Sequence, residues 1–198
     1  MTESANGGVI DLHGEWHLAC ADGAHEAAIT LPGDVHSALH AAGLIPDPYF
    51  GRNEQVVQWV AERDWSLERR FVLSDVSGDW YLDIDYLDTV AVVFVNDVPV
   101  LSADNCFRRY RPDVSHALQP GENTIRIVFH SSISAGAERQ ARQPFYIPYS
   151  TANSPIPNGN MLRKPQCDFG WDWNIALAPF GIWGAIGLEP QGDRIADV

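Results

Sequence analysis

The segment Trp171-Asp172-Trp173 places an acidic side chain between two indoles. Flat aromatic faces can cover the C–H surface of a pyranose, while a carboxylate accepts hydrogen bonds from adjacent sugar hydroxyls. The surrounding stretch, 163–183, has neither a helical stripe nor strand alternation until its end, so core formation alone explains it poorly. It is therefore the leading candidate for a ligand site. The alternative is that both tryptophans are core residues and that Asp172 caps a turn.

Composition indicates a globular chain with few cations. The 198 residues are 45% hydrophobic and 11% aromatic, which is enough for one domain with a sizeable core. The formal charge of -13, with only 13 Lys and Arg residues, argues against nucleic acid and anionic membranes as partners. No run of apolar residues is long enough to span a membrane.

The cysteines indicate a reducing compartment. Cys20, Cys106 and Cys167 are far apart, odd in number and without the short paired spacing of a zinc site, so we expect buried free thiols. The amino terminus has neither a basic region nor an apolar run, and no Asn-x-Ser/Thr acceptor occurs. We therefore expect a cytoplasmic location, and we predict neither a metal nor a cofactor.

Short strands separated by turn residues dominate the hydrophobic pattern. Alternation and apolar runs predict strands at 16–20, 26–31, 65–73, 80–86, 90–95, 98–101, 124–129 and 182–189. Asn96-Asp97 has the composition of a hairpin turn. Asp34 is placed to cap a short helix that stops at Gly43, and 54–63 contains a further helical turn.

Two groups of polar side chains on these elements are predicted to face solvent. His36 and His40 share one face of the short helix, but no acidic third ligand is in reach, so a solvated face is expected rather than a metal site. Asp83 and Asp85 alternate with the apolar residues of their strand. Alternation places them on the face opposite the core, where solvent accounts for them.

Residues 131–177 hold no clear long element and are rich in Pro, Ser, Asn and aromatic residues. A loop of this length inside a compact domain is usually functional. About eight short strands without strand–helix alternation predict an all-β fold, an antiparallel β-sandwich of jelly-roll type with one or two short helices. This domain is expected to close at Pro190, and 194–198 has the pattern of a strand that starts another one.

Several short motifs occur in order along the chain. They are Pro32-Gly33-Asp34-Val35-His36, the loop Ile45–Gly51, Val57-Gln58-Trp59-Val60, Asp88-Thr89-Val90, Pro120-Gly121-Glu122-Asn123 and Cys167-Asp168-Phe169-Gly170-Trp171-Asp172-Trp173. Each motif is weak alone. Together, from about residue 12 to residue 188, they resemble the amino-terminal sugar-binding domain of the β-mannosidases of glycoside hydrolase family 2.

The resemblance implies a galactose-binding-domain-like sandwich over residues 1–190, followed by an immunoglobulin-like domain, whose truncated start would be 191–198, and by a TIM-barrel domain. In this family the barrel carries the two glutamates of a retaining mechanism, so no catalytic residue is expected here. The family's Trp-Asp-Trp element reaches over the barrel mouth, and its acidic residue contacts hydroxyls of the terminal sugar. On this sequence that residue is Asp172, flanked by Trp171 and Trp173. The implied partners are a β-mannoside or related oligosaccharide and the chain's own further domains.

Four polar residues that precede this element are further candidates for the same pocket, namely Asn160, Arg163, Lys164 and Asp168. Their side chains could line the pocket and contact the sugar. Alternatively, Arg163 and Lys164 form ion pairs with Asp168 and hold the loop, which is the interpretation we favour.

The chain departs from the family pattern at two places. Asn174 and Ile175 stand where Gly-Pro is usual, and Gly184 stands where an Arg is common. The first departure would alter the path of the loop, and the second would remove a tie to the neighbouring domain. Other readings stay open: a free-standing carbohydrate-binding module, the same domain of another family 2 exo-glycosidase such as a β-galactosidase or β-glucuronidase, or a scaffold domain with buried tryptophans.

Overall fold

Strands make up most of the regular structure in a computed structural model that describes residues 3–4 (backbone only), 8–150, 152 and 154–192. The strands are β1 Glu3–Ser4, β2 Ile10–Asp11, β3 Gly14–Cys20, β4 Glu26–Leu31, β5 Gly33–Asp34, β6 Trp65–Leu73, β7 Trp80–Ile84, β8 Leu87–Asp88, β9 Ala91–Val95, β10 Val98–Ala103, β11 Gly121–Phe129, β12 Phe169–Trp171, β13 Asn174–Ala176, β14 Gly181–Ile182 and β15 Ile186–Pro190. The helices are α1 Val35–Ala41, α2 Asn53–Val56 and α3 Ser132–Ala141, with 3-10 helices at Gln58–Val60, Ser115–Ala117, Gly159–Met161 and Gln166–Asp168. The strand predicted at 194–198 lies outside the described residues.

The main sheet has the strand order β10-β9-β11-β6-β3-β4, and β1 pairs in parallel with β6. All other neighbours in it are antiparallel. In β11 every second residue from Asn123 to Phe129 is buried, so one face of the sheet points to the core and the other to solvent. The predicted hairpin turn at Asn96-Asp97 is confirmed, since both residues adopt the positive φ that such a turn requires.

A second layer consists of short antiparallel sheets, β2-β15-β7 and β5-β14-β8. Its buried side chains, such as Leu82, Ile84 and Leu188, join those of the main sheet in one apolar cluster. Burial of apolar side chains between two layers is the main driving force for such a fold. The predicted all-β antiparallel sandwich with short helices is therefore confirmed.

The long segment 131–177 contains a helix that the sequence pattern did not predict. The helix α3 begins after Ser131, whose hydroxyl accepts a hydrogen bond from the Ser134 N–H, and it buries only Ser132 and Gly136. Because neither buried position carries an apolar side chain, no hydrophobic stripe marks the helix in the sequence. No helix in the described part of the chain is long and apolar enough to cross a membrane.

The expectation that Asp83 faces solvent is wrong. Asp83 is only 6% exposed, and its carboxylate accepts hydrogen bonds from Arg109 Nε at 2.7 Å and Arg109 Nη2 at 2.5 Å. The segment that carries Arg109 runs beside β7, where Ile84 pairs with Tyr110. This segment covers a face that alternation alone assigns to water. Asp85, which directly follows β7, is exposed as predicted.

The expectation of a solvated His36–His40 face is wrong for His36. His40 is exposed, but His36 is 3% exposed and its ring lies edge-on to Phe180 at 6.2 Å between centroids. Burial lowers the pKa of His36 to about 4, an effect that nearby Lys164 reinforces and Asp34 opposes. The ring is therefore neutral at pH 7 and belongs to the packing between α1 and the second layer.

The three cysteines are free thiols, as predicted. Cys20 and Cys106 are buried, while Cys167 is half-buried. Burial raises the pKa of Cys20 and raises that of Cys106 to about 11. Because the thiolate is the reactive form, the two buried thiols are chemically inert near neutral pH.

A second, smaller apolar cluster supports the irregular segment that follows α3. Phe169 lies in it, 1% exposed, together with Ile156, Leu162 and Ala176. Gly159 approaches the Phe169 ring so closely that a Cβ there would lie 2.4 Å from ring carbons. This cluster gives the segment a packed base, so the turn at its outer end is held in place although it is not part of the main sheet.

Replacing Gly181 by Ala is expected to destabilise the domain by about 1–3 kcal/mol. Gly181 in β14 pairs with Asp34 of β5 and Asp88 of β8, and an added Cβ would lie 2.2 Å from the Gly33 carbonyl oxygen. Chemical denaturation of the two proteins measures the difference. Gly192→Ala, where nothing lies within 4 Å of an added Cβ, is the matched control. Equal midpoints for all three proteins would show that the close approach is not needed.

Candidate functional site

A two-residue turn between β12 and β13 carries the Trp-Asp-Trp element. Trp171 ends β12, and Asp172 and Trp173 form the turn. Trp171 is 45% exposed, Trp173 is 70% exposed, and Asp172 is also exposed. The alternative that both tryptophans are core residues is therefore wrong. The carboxylate and both indoles are available to a ligand.

The base of this hairpin is held by polar contacts with the irregular segment before it. The Asn174 amide donates to the Cys167 carbonyl at 3.0 Å, and the Ser154 hydroxyl donates to the Gly170 carbonyl at 3.2 Å. Asn174 stands at one of the two places where the resemblance implies other residues, and its side chain holds the strand that follows the turn.

A surface hollow of about 450 Å³ adjoins the turn. Its described lining consists of Tyr49, Glu54, Ala152, Pro155, Gly170, Trp171, Asp172, Trp173, Asn174, Ile175 and Ala176. Three of these residues offer aromatic rings and two offer carboxylates, while none is a Lys or Arg. A hollow with hydrogen-bond acceptors, aromatic faces and no cation suits an uncharged polyhydroxyl ligand and repels an anionic one.

Tyr49 and Glu54 are residues of this hollow that the sequence did not single out. Tyr49 is 72% exposed in a loop where its N–H donates to Asp47 Oδ1 at 3.0 Å. Glu54 lies in α2 and its Oε1 accepts a hydrogen bond from the Ala176 N–H at 2.8 Å. A large aromatic residue in a loop punctuated by Pro and Gly was the available signal for Tyr49.

Lys164 lies inside the protein and not in the hollow. Its fully buried ammonium is 3.0 Å from Asp88 Oδ2 and 3.2 Å from Asp168 Oδ2, and it also donates to the Pro179 carbonyl. The predicted ion pair of Lys164 with Asp168 is confirmed, and the pair with Asp88 was not predicted. The ion pair predicted between Arg163 and Asp168 does not form among the described residues, so that part of the prediction is wrong. The indole N–H of Trp183 donates to the same Asp88 oxygen at 3.3 Å.

Burial and the Lys164 charge act in opposite directions on the two carboxyl groups. Burial raises the pKa of Asp88 and of Asp168, and the ammonium of Lys164 lowers both. The Asp168 carbonyl also accepts hydrogen bonds from the N–H groups of Leu177 and Ala178, at 3.2 and 2.7 Å. Lys164 thus joins β8 to the start of the Trp-Asp-Trp hairpin through Asp168.

Asn160 and Arg163 are exposed, and neither lines the hollow of Asp172. The Asn160 amide donates to the Pro148 carbonyl at 3.4 Å, and Asn160 lines a smaller adjacent cavity that shares Trp171. The Arg163 carbonyl accepts a hydrogen bond from the Cys106 N–H at 3.0 Å. Of the seven predicted site residues, only Asp172, Trp171 and Trp173 therefore line the same hollow. That any of the seven contacts a sugar stays a prediction.

The sequence profile described as "Glycosyl hydrolase 2 galactose-binding domain-like" matches residues 16–184, which is most of the chain. The chain belongs to this family. Relatives within the family include the β-mannosidase of Bos taurus, 35% identical over 187 residues, and the probable β-mannosidase of Caenorhabditis elegans, 34% identical over 190 residues. Each match covers 91% of this chain and 21% of the relative, so the chain spans about a fifth of their length.

Comparisons with solved structures agree with the sequence matches. The β-D-mannosidase of Dictyoglomus thermophilum superimposes with a TM-score of 0.86 and 30% identity over 96% of this chain and 23% of its own. The exo-chitosanase CsxA of Amycolatopsis orientalis superimposes with a TM-score of 0.63 at 15% identity, which shows a shared fold only. The chain thus corresponds to the amino-terminal domain of family 2 β-mannosidases.

The structure gives a local reason for one departure from the family pattern. A Cβ added to Gly184 would lie 2.8 Å from the Asp85 carbonyl oxygen and 2.9 Å from its Cβ. An arginine, which the resemblance implies at this position, would therefore not fit unless the backbone at the end of β7 shifted. In this chain the close approach of the Asp85 backbone requires a glycine at position 184.

Proposed function

We propose that this chain is the amino-terminal domain of an exo-acting β-mannosidase and that it contributes Asp172 to the binding of the terminal sugar. The observation that carries the proposal is the exposed carboxylate between two exposed indoles at the edge of a hollow, in a chain whose relatives are named β-mannosidases. Hydrolysis of the terminal β-mannosyl bond would proceed by the retaining mechanism, with both glutamates in a TIM barrel beyond this chain.

Asp172 would act by selective binding. A carboxylate accepts hydrogen bonds from two adjacent sugar hydroxyls, and Trp171, Trp173 and Tyr49 offer faces for the C–H surface of the ring. Contacts that strengthen as the ring distorts toward the transition state accelerate the reaction, although the residue takes no part in bond cleavage.

The charge of the hollow supports an uncharged sugar. Asp172 and Glu54 are both acidic, and the described lining holds no Lys or Arg that could neutralise a uronic acid. An anionic substrate would meet like charges there. A mannoside therefore fits this wall better than a glucuronide does.

The direct test is to compare this chain with the protein extended by its natural downstream sequence. We expect hydrolysis of an aryl β-mannoside only by the longer protein, because a retaining mechanism needs two carboxyl groups about 5 Å apart across the bond. Aryl β-galactoside and aryl β-glucuronide are the control substrates. Activity that favours the glucuronide, or none on the mannoside, would contradict the proposal.

A free-standing carbohydrate-binding module is the second candidate, favoured by the exposure of both tryptophans. Calorimetric titration of this chain with mannose and mannobiose separates the two functions. A binding module would bind these sugars at sub-millimolar concentration. A domain that supplies only part of an active site should show almost no binding without the barrel.

The same proposal includes the domain division and the location. Residues 1–190 would form the sugar-binding domain, 191–198 would begin an immunoglobulin-like domain, and the enzyme would work in the cytoplasm. The free thiols support a reducing compartment.

A further inference from the structure

Both backbone polar groups of Ala176 are bound by side chains from a distant helical segment. Its N–H donates to Glu54 Oε1 at 2.8 Å, and its carbonyl accepts from Gln58 Nε2 at 2.7 Å. The Gln58 amide also donates to the Glu54 carbonyl at 2.8 Å. One carboxylate and one amide, four residues apart, therefore bind the donor and the acceptor of the same residue.

This contact replaces a missing strand. Ala176 ends β13, which pairs with β12 in a sheet of two strands, and no third strand lies beside it in the part of the chain that the structure describes. An isolated two-stranded hairpin is marginal in water. Glu54 and Gln58 satisfy the polar backbone groups that a neighbouring strand would otherwise satisfy.

The hairpin held in this way carries the Trp-Asp-Trp element. Ala176 pairs with Phe169, and Trp171 pairs with Asn174 on either side of the turn that contains Asp172. Glu54 also lines the hollow itself. A shift of β13 would therefore move the carboxylate relative to the opposite wall, and displacements of about 1 Å in binding groups are costly to a reaction.

We propose that Glu54 and Gln58 are positioning residues that act as a substitute edge strand and fix the Asp172 turn. Neither needs to touch the sugar for this role. The expected effect of these residues on turnover rests on the function proposed above. The proposal that they hold the hairpin in place does not depend on that function.

Amide hydrogen exchange in the 198-residue chain tests the fixing of the hairpin. We expect Glu54→Ala and Gln58→Met each to speed exchange at Ala176 and across 169–176 by about ten-fold, while amides of β6 and β11 keep their protection. Glu54→Gln keeps an acceptor oxygen and should restore slow exchange. Gln55→Met is the matched control for Gln58→Met, because Gln55 is an exposed glutamine next to Glu54 on α2.

The second readout is the turnover of an aryl β-mannoside by the longer protein. We expect Glu54→Ala and Gln58→Met each to lower kcat/KM by about ten-fold at unchanged Tm, and Gln55→Met, at a residue outside the hollow, to stay within about two-fold of the parent. Unchanged exchange in both Glu54→Ala and Gln58→Met would overturn the inference. Faster exchange with unchanged turnover, in a protein that Asp172→Ala does impair, would also overturn it and leave the proposed function standing. If Asp172→Ala has no effect, the proposed function fails, and the exchange data still decide whether the hairpin is held.

Discussion

Replacing Asp172 by Ala in the longer protein is expected to lower kcat/KM for an aryl β-mannoside by about one to two orders of magnitude. A hydrogen bond between a charged group and a sugar hydroxyl contributes about 1.5–3 kcal/mol, which corresponds to roughly 10- to 150-fold in rate when the contact is made in the transition state. Steady-state kinetics on the purified variant measures the effect.

The exposure of Asp172 makes this loss separable from unfolding. Because the side chain lies in an exposed turn, its removal should change the free energy of unfolding by less than about 0.5 kcal/mol. Asp172→Asn keeps the shape but removes the charge, and it should retain part of the binding. Asp85→Ala, an exposed aspartate that does not line the hollow, is the control and should leave kcat/KM unchanged. Parent-like kinetics in Asp172→Ala would refute the assigned contact.

Local sequence pattern predicted the longer strands because each carries its own evidence. The single strand predicted at 182–189 is wrong, since β14 and β15 are separate strands in different sheets. β6 was predicted at its observed bounds, and β11 was predicted from 124 although it begins at Gly121. Alternation needs no knowledge of the remaining chain. The same argument predicted that Leu82 and Ile84 face the core, which is confirmed.

The errors arose where a distant segment covers a face that periodicity leaves open. Asp83 and His36 were assigned to solvent because alternation or helical spacing gives the side of an element but not what packs on it. Arg109 covers the first, and the layer that contains Phe180 covers the second. Such contacts depend on tertiary structure that a single sequence does not reveal.

The same contrast between local pattern and distant contacts holds for the candidate site. The Trp-Asp-Trp element is contiguous, so it could be recognised directly, and Asp168 lies four residues from Lys164. Asp88 is 76 residues from Lys164, and Glu54 is 122 residues from Ala176. No local rule links residues at these separations, so the buried ion pair and the hairpin contact required the structure.

The largest loss of stability is expected from Lys164→Met. Lys164 is the buried cation between Asp88 and Asp168, and removal of one partner from a buried ion pair costs about 3–5 kcal/mol because the remaining charge is uncompensated. For a domain of this size that corresponds to a decrease in Tm of roughly 6–20 °C. Calorimetry on the isolated chain measures it. Arg142→Met, which removes an exposed ion pair with Glu138, is the control and should shift Tm by about 1 °C or less.

The pH dependence of that loss distinguishes uncompensated charge from a simple packing defect. In the folded state burial holds the pKa of Asp88 and of Asp168 above the ordinary value while Lys164 lowers both, so the variant raises them further. A carboxyl group with a raised folded pKa favours the folded state at low pH, and this contribution is lost as the pH rises through the folded pKa. The deficit of Lys164→Met should therefore be largest near neutral pH and should shrink toward acidic pH as the buried acids take up protons. Adding Asp88→Asn to the variant should recover part of the stability at neutral pH for the same reason. A deficit that is equal at both pH values would instead mean that Lys164 acts through the packing of its methylene chain, and Asp168 would then need no charge partner to hold the hairpin.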